Sequence, residues 1–250
     1  MIRPVGATRG SRMLDPPVQS GAWKRLFTGM TILVLLVSLF VGILFFPTFA
    51  IVSALIVAGL VLSRMPGRLG TFLIVIGFLL TITLNMGYPG TITAFKNPAS
   101  PIVFIPRLLA FVGGITGLVA GLQVLTGAEG PSEGASRVRA IALFLIVAGI
   151  GLSVFATLTY QSESAQEGDA LIFASNSQFV EKSIQARELS PVVYFENQDL
   201  DLHTVTIERI NFDLAVPGGK SKRAPLNAGR GFYDFYCRTY PEMTGQIVVG

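Results

Sequence analysis

Residues 152–174 read LSVFATLTYQSESAQEGDALIFA, and the side-chain pattern changes within them. Up to Tyr160 the segment closes a long run without charge. From Glu163 onward charges recur and the apolar residues come in short bursts. An unbroken apolar run of helical length suits a bilayer interior, whereas short alternating segments suit a half-buried sheet. The chain divides here, and the charges divide with it. Residues 1–162 hold 11 Lys/Arg and 3 Asp/Glu, net +8, while residues 163–250 hold 8 and 12, net −4. With 51% hydrophobic and only 14% charged residues, the chain is too poor in polar surface for an ordinary soluble domain. The basic excess belongs to the apolar part, so no nucleic-acid partner is expected. One Cys excludes an intrachain disulfide, and one His excludes a His-triad or Cys/His zinc site.

Working back from Tyr160, charge-free runs cover Leu26–Ser63, Leu69–Phe95, Leu108–Ala128 and Ala140–Ser162. The first has 38 residues, about 57 Å as one helix and about twice a bilayer's hydrocarbon thickness. Pro47 lies near its midpoint, lacks an amide hydrogen and disfavours helix at Phe46, so the run is expected to fold back there. The expected membrane domain, 26–160, thus has five transmembrane helices near 26–46, 48–63, 69–86, 106–125 and 140–160. Residues 1–25 are expected to be a basic cytoplasmic tail before an uncleaved first helix. An inside N-terminus places Arg3, Arg9, Arg12, Lys24, Arg25, Arg64, Arg68, Arg137 and Arg139 in the cytoplasm and only Lys96 and Arg107 outside. Four spans would strand Arg64 and Arg68 outside. Asp, Glu, Lys and His are absent from the expected spans, and Arg107 sits at an end of one, so no proton or ion path is indicated. Asn85 and Gln123 are expected to hydrogen-bond between helices or lie at the interface. Gly113, Gly114, Gly117 and Gly121 form a small-residue face for close helix approach.

Working forward, 161–168 reads as a linker and 169–250 as an extracytoplasmic all-β domain, a sandwich or Greek-key barrel. Expected strands are Leu171–Ala174, Phe179–Ala186, Val192–Glu196, Thr204–Glu208, Gly231–Cys237 and Gln246–Val249, with turns at Pro217-Gly218-Gly219 and Asn227-Ala228-Gly229. In Gly231–Cys237, alternation puts Tyr233, Phe235 and Cys237 on one face and Phe232, Asp234 and Tyr236 on the other. Lys220, Lys222 and Arg223 read as a solvated turn, with docking of an acidic partner or anionic headgroups as the alternative.

Three stretches carry a resemblance: Val193-Tyr194-Phe195-Glu196-Asn197-Gln198-Asp199, then Leu202-His203-Thr204-Val205-Thr206-Ile207, and finally Phe235-Tyr236-Cys237-Arg238-Thr239-Tyr240-Pro241-Glu242-Met243-Thr244-Gly245. With the Val216-Pro217-Gly218-Gly219 turn, they make residues from about 169 to 250 resemble the cupredoxins, the plastocyanin and sulfocyanin type of blue copper domain. In that family a His after an Asn-x-Asp-type loop supplies one copper ligand, and a closing Cys-x-x-His-Pro-x-Met loop supplies the other three. The resemblance implies copper as cofactor and His203, Cys237 and Met243 as metal ligands. Tyr240 departs from it, standing where the second His is expected. Two readings of Tyr240 remain open: a hydrogen-bonded aromatic plug, or a ligand or redox group. Thiolate, thioether and one imidazole suit Cu(I) better than Cu(II).

The function implied is copper binding and electron transfer at the outer face of the plasma membrane, with the lipid bilayer and a redox protein or membrane complex as partners. A metal-free cupredoxin used as a docking subunit and Cu(I) handling for oxidase assembly are the alternatives. No nucleophile, base and orienting group can be assembled around a single His, so an enzyme is not expected.

Overall fold

The computed structural model describes residues 21–44, 48–88, 90–127, 132–186 and 191–250. Among the described residues six helices come first: α1 (Ala22–Leu44), α2 (Thr48–Leu62), α3 (Leu69–Gly87), α4 (Gly90–Lys96), α5 (Pro101–Thr126) and α6 (Ser132–Thr159). Among the described residues four helices are long and apolar enough to cross a membrane: Ala22–Gly42, Leu69–Gly87, Pro101–Thr126 and Glu133–Thr159. The second expected span forms α2, whose 15 residues reach only about 22 Å against a hydrocarbon core of ~30 Å. The break expected at Pro47 and residues 1–20 of the tail lie outside the described residues.

Helix α5 starts five residues before the expected 106, because Pro101 occupies its first turn, where a missing amide hydrogen is tolerated. It stops at Gly127, whose left-handed backbone (φ 65°) lets its amide bond to Val124 O. The early start corrects the placement of Arg107, which lies inside α5 rather than at its end and is only 7% exposed.

The glycine face does what its spacing implies. A Cβ at Gly117 would lie 2.4 Å from Phe78 Cζ of α3, at Gly114 3.0 Å from Ile82 of α3, and at Gly113 3.0 Å from Val34 of α1. Gly121 abuts Val75 and Phe27. Small residues here admit side chains of α1 and α3, and Phe27 meets Phe78 edge-on with ring centres 5.9 Å apart. Of the two expectations for Asn85, a bond between helices is not found among the described residues; its amide donates to Thr81 O of its own helix at 2.8 Å.

Nine strands follow among the described residues: β1 (Ala170–Ser175), β2 (Gln178–Phe179), β3 (Ser183–Ala186), β4 (Val192–Asn197), β5 (His203–Ile207), β6 (Phe212–Val216), β7 (Lys220–Pro225), β8 (Gly231–Tyr236) and β9 (Thr244–Val249). They make two sheets, ordered β2-β1-β4-β7 and β3-β9-β8-β5-β6. Strands β1 and β4 pair in parallel, as do β3 and β9, and the other pairs are antiparallel. Ile172, Phe195, Val205, Phe235 and Ile247 from both sheets meet in one core. Alternation in β8 buries Tyr233 and Phe235, with Cys237 beyond them, and leaves Phe232 and Asp234 exposed.

Two expectations are corrected. Phe179–Ala186 is not one strand, since the chain leaves the first sheet after Phe179 and enters the second at Ser183. Lys220, Lys222 and Arg223 lie not in a turn but in β7, the edge strand beside β4. An edge strand keeps a solvated side, so its charges cost little there and block further pairing.

The β domain sits on the helices. Leu202 packs in a small buried cluster with Ala94 and Val103. The linker is tied to β7, since Ser221 Oγ donates to Glu163 O at 2.6 Å, and within the β domain the Arg223 guanidinium grips Asp169 through two bonds of 2.8 and 2.7 Å.

Candidate metal centre

The loop before β5 is built around Asn197, whose side-chain amide donates to Asp201 O at 2.7 Å and Val216 O at 2.9 Å. Its carbonyl oxygen accepts the Asp199 amide at 3.1 Å. The Pro217-Gly218-Gly219 turn closes on this loop. A Cβ at Gly218 would lie 2.3 Å from Leu200 O, and Gly219 has φ 67°, so neither position suits a side chain. Gly219 N donates to Asp199 O at 3.0 Å.

So held, the Asp199 carboxylate accepts the amides of Asn176 at 2.6 Å and Ser177 at 2.9 Å. Both residues have positive φ, 55° and 56°, as a two-residue hairpin turn between β1 and β2 requires. Asp199 Oδ2 also lies 2.9 Å from His203 Nε2. Burial pushes the Asp199 carboxyl up, but the two amides and His203 outweigh it and hold it below the usual carboxylate value. A carboxylate only accepts, so Nε2 is the protonated nitrogen of neutral His203, and Nδ1 keeps its lone pair.

That Nδ1 faces Cys237 Sγ at 3.5 Å, with both side chains fully buried. Strands β5 and β8 are neighbours, which brings the start of one beside the end of the other. Sγ also accepts the Thr204 amide at 3.4 Å, and Thr204 Oγ1 accepts the Arg238 amide at 2.8 Å. Burial alone would push the thiol up and the imidazole down. Their mutual hydrogen bond and charge reverse both, so the Cys237 thiol is lowered and the His203 imidazole raised.

The loop after Cys237 folds back on itself. Met243 N donates to Tyr240 O at 2.9 Å, and Cys237 N donates to Met243 O at 3.0 Å. Met243, 3% exposed, belongs to the same buried cluster as Cys237. The Tyr240 ring lies 5.3 Å from the His203 ring at 50°, and its hydroxyl donates to Asp201 Oδ2. Burial first, and the Asp201 carboxylate second, push the Tyr240 phenol well above its ordinary value. The phenol thus keeps its proton. Sequence reasoning quoted Asp199 without giving it a role and did not single out Asp201; their signal is a carboxylate four residues before His203 and another two before it.

The loop also rests on the helices. Tyr88, just past α3, donates its hydroxyl to Thr239 O at 2.7 Å, and Gly90 opens α4 where a Cβ would lie 3.2 Å from Thr239 Cα. The Arg107 guanidinium lies over the Tyr88 ring at 5.5 Å. It lines a small cavity shared with Asn85, Thr91 and Asp201.

The donors suit a soft metal in one respect and fall short in another. With metal–nitrogen and metal–sulfur bonds of about 2.0 and 2.3 Å, a tetrahedral angle separates the two donors by about 3.5 Å, which is the Nδ1–Sγ distance found. Among the described residues, however, no group of three or more His, Cys, Asp or Glu is placed to hold a metal.

No known protein family matches the chain, and no curated protein does. Among solved structures it is similar to a reduced single-substitution variant of amicyanin at 16% identity, covering 34% of this chain and 86% of that one with a TM-score of 0.31. It is similar to amicyanin from Paracoccus versutus at 15% identity, covering 34% of this chain and 85% of that one with a TM-score of 0.30. A third similar structure, the Cu(I) form of another amicyanin variant, is 16% identical over 34% of this chain and 86% of its own, with a TM-score of 0.30.

Proposed function

We propose that residues 169–250 form a cupredoxin-like domain, carried on the outer face of the plasma membrane by the helices, that binds copper as Cu(I) through His203 Nδ1, Cys237 Sγ and the Met243 thioether. From there it passes electrons, or the ion itself, to a redox protein or membrane complex. The observation that carries this reading is the buried Nδ1–Sγ pair at 3.5 Å, with Nε2 fastened to Asp199. A metal-ligating imidazole ordinarily has its second nitrogen fixed in this way. Thiolate and thioether are soft donors, and with one imidazole they favour Cu(I) over Cu(II).

The orientation proposed is N-terminus inside, with five traverses if the short α2 is counted. Arg68 lies beside Gly127, and Trp23 beside Gly134, which groups Lys24, Arg25, Arg68, Arg137 and Arg139 at one end of the bundle. The β domain is at the other, near Tyr88. Excess Arg and Lys favour the cytoplasmic side. Reporter fusions after Gly127 and Gly250 should give cytoplasmic and external signals; equal signals would break the topology.

The deciding experiment is competition of the full chain in detergent against a Cu(I) chelator. One equivalent should bind, and Cys237→Ser should weaken binding by about 100-fold or more, because a ligand counts for at least as much as its supporting partners. Equal, weak binding by both proteins would favour the second reading, a metal-free docking subunit, in which the Tyr240–Asp201 bond closes the space of the absent imidazole. Tyr240→His completes two imidazoles and a thiolate with Met243 as weak axial donor, and the Cu(II)-loaded variant should gain the intense thiolate absorption that the parent lacks.

A further inference from the structure

Where α6 leaves the helical bundle, a groove of about 570 Å³ opens between three elements. One wall is the α4–α5 connection, Lys96 to Ala99, fastened to α6 by Ser153 Oγ donating to Pro98 O at 2.7 Å and Thr157 Oγ1 to Ala99 O at 3.3 Å. The floor is the outer end of α6, where Leu152 and Phe155 are 51% and 65% exposed. The roof holds Lys222, on the edge strand β7 of the other domain. Thus two lysines from different domains line one groove together with an apolar strip. Tyr160 lines the same groove, and its hydroxyl oxygen is buried without a hydrogen-bond partner among the described residues.

The groove also contains one carboxylate, Glu163. That group is turned to the strand, where Oε2 accepts the Arg223 amide at 2.9 Å. Neither Lys96 nor Lys222 forms an ion pair among the described residues. A cationic rim over lipid-facing Leu and Phe side chains matches one ligand chemistry in both halves: a phosphate diester on acyl chains.

We propose that this groove is a binding site for one anionic phospholipid, its phosphate between Lys96 and Lys222 with the Tyr160 hydroxyl beneath and its chains along Leu152 and Phe155. The lipid bridges the bundle and the β domain. The site rests on the membrane placement of the helices but not on copper.

The test uses the full chain in nanodiscs of phosphatidylcholine containing a minor fraction of phosphatidylglycerol, with retained lipid read by native mass spectrometry. One phosphatidylglycerol should be retained in preference to phosphatidylcholine. Lys96→Gln and Lys222→Gln should each lower that preference about fivefold, and about 25-fold together. Lys182→Gln, an equal charge loss outside the groove, should change it less than twofold. Equal retention of the two lipids overturns the site, as does an equal loss in Lys182→Gln. Displacement of the lipid by millimolar inorganic phosphate would mark a free-anion site and overturn the lipid assignment. A chain that inserts into neither lipid overturns the membrane placement as well, so the two failures are distinguishable.

Discussion

The helical half and the β half of this chain differ in how most of their buried polar groups are satisfied, with Ser153 on α6, which donates to Pro98 O, as an exception. In the helices, Thr31 donates to Phe27 O, Ser53 to Phe49 O, Thr81 to Gly77 O and Asn85 to Thr81 O, each four residues back on its own helix. In the β domain, Asp199 is held by Asn176 and Ser177, His203 meets Cys237 and Arg238 meets Thr204, across separations of more than twenty residues. A lipid-facing helix must settle its polar groups internally. A sandwich closes only when distant segments meet, so polar contacts there fix which segments those are. Apolar exposure divides in the same way. Of the exposed large hydrophobic side chains among the described residues, only Leu171, Val180, Leu200 and Phe232 lie in the β domain.

The comparison breaks most readily with one residue type in two places. Phe195→Ala empties a fully buried core position of the sandwich, while Phe144→Ala trims a side chain 70% exposed on α6. The first should cost about 3–5 kcal/mol and the second less than about 0.5 kcal/mol, as read by thermal unfolding in detergent. Similar losses would mean that α6 packs against something other than lipid. A smaller effect tests the glycine face. Gly117→Ala forces Phe78 aside and should cost about 1–3 kcal/mol, whereas Gly151→Ala, with nothing within 4 Å of its Cβ, should be neutral or stabilising.

Long-range polar fixation in the β half is tested by Asp199→Asn, which replaces an acceptor oxygen by an amide donor. Cu(I) affinity should fall about 10–100-fold with little change in far-ultraviolet circular dichroism. The smallest effect concerns acid. Arg223 holds the Asp169 carboxyl below its usual value, chiefly through their hydrogen bonds. A lowered carboxylate stabilises the fold fully above its unfolded value of about 4. That contribution is lost as pH falls through the lower folded value. Helices α1 to α5 contain no Asp or Glu, so the β signal in circular dichroism should change at acid pH before the fluorescence of Trp23. Simultaneous loss would show that the halves unfold as one unit.

How much of this was legible in the sequence follows the same division. Charge-free runs placed helices α3, α5 and α6, and Pro47 divided the first run into α1 and α2. Helix α4 was hidden, since Gly90–Lys96 continues the run that forms α3. Strand β7 was missed because Lys220, Lys222 and Arg223 are compatible with an edge but look like a turn. Family spacing pointed to His203, Cys237 and Met243, and the fold brings His203 and Cys237 within contact. The roles of Asp199 and Asp201 are contacts through space, to a hairpin in one case and an aromatic ring in the other, and no local pattern encodes them.

The bond from Tyr88 to Thr239 O changes the thermodynamic meaning of the ligand loop. Residues 237–243 are anchored at both ends by β8 and β9 and also gripped at the third residue by the helical half. A loop pinned at three points has lost most of its conformational entropy during folding, so a metal ion arriving there need not order it again. On the proposed Cu(I) reading, the helices contribute to affinity without supplying a donor atom, and cutting the chain at the linker would lower that affinity through the freedom returned to seven residues.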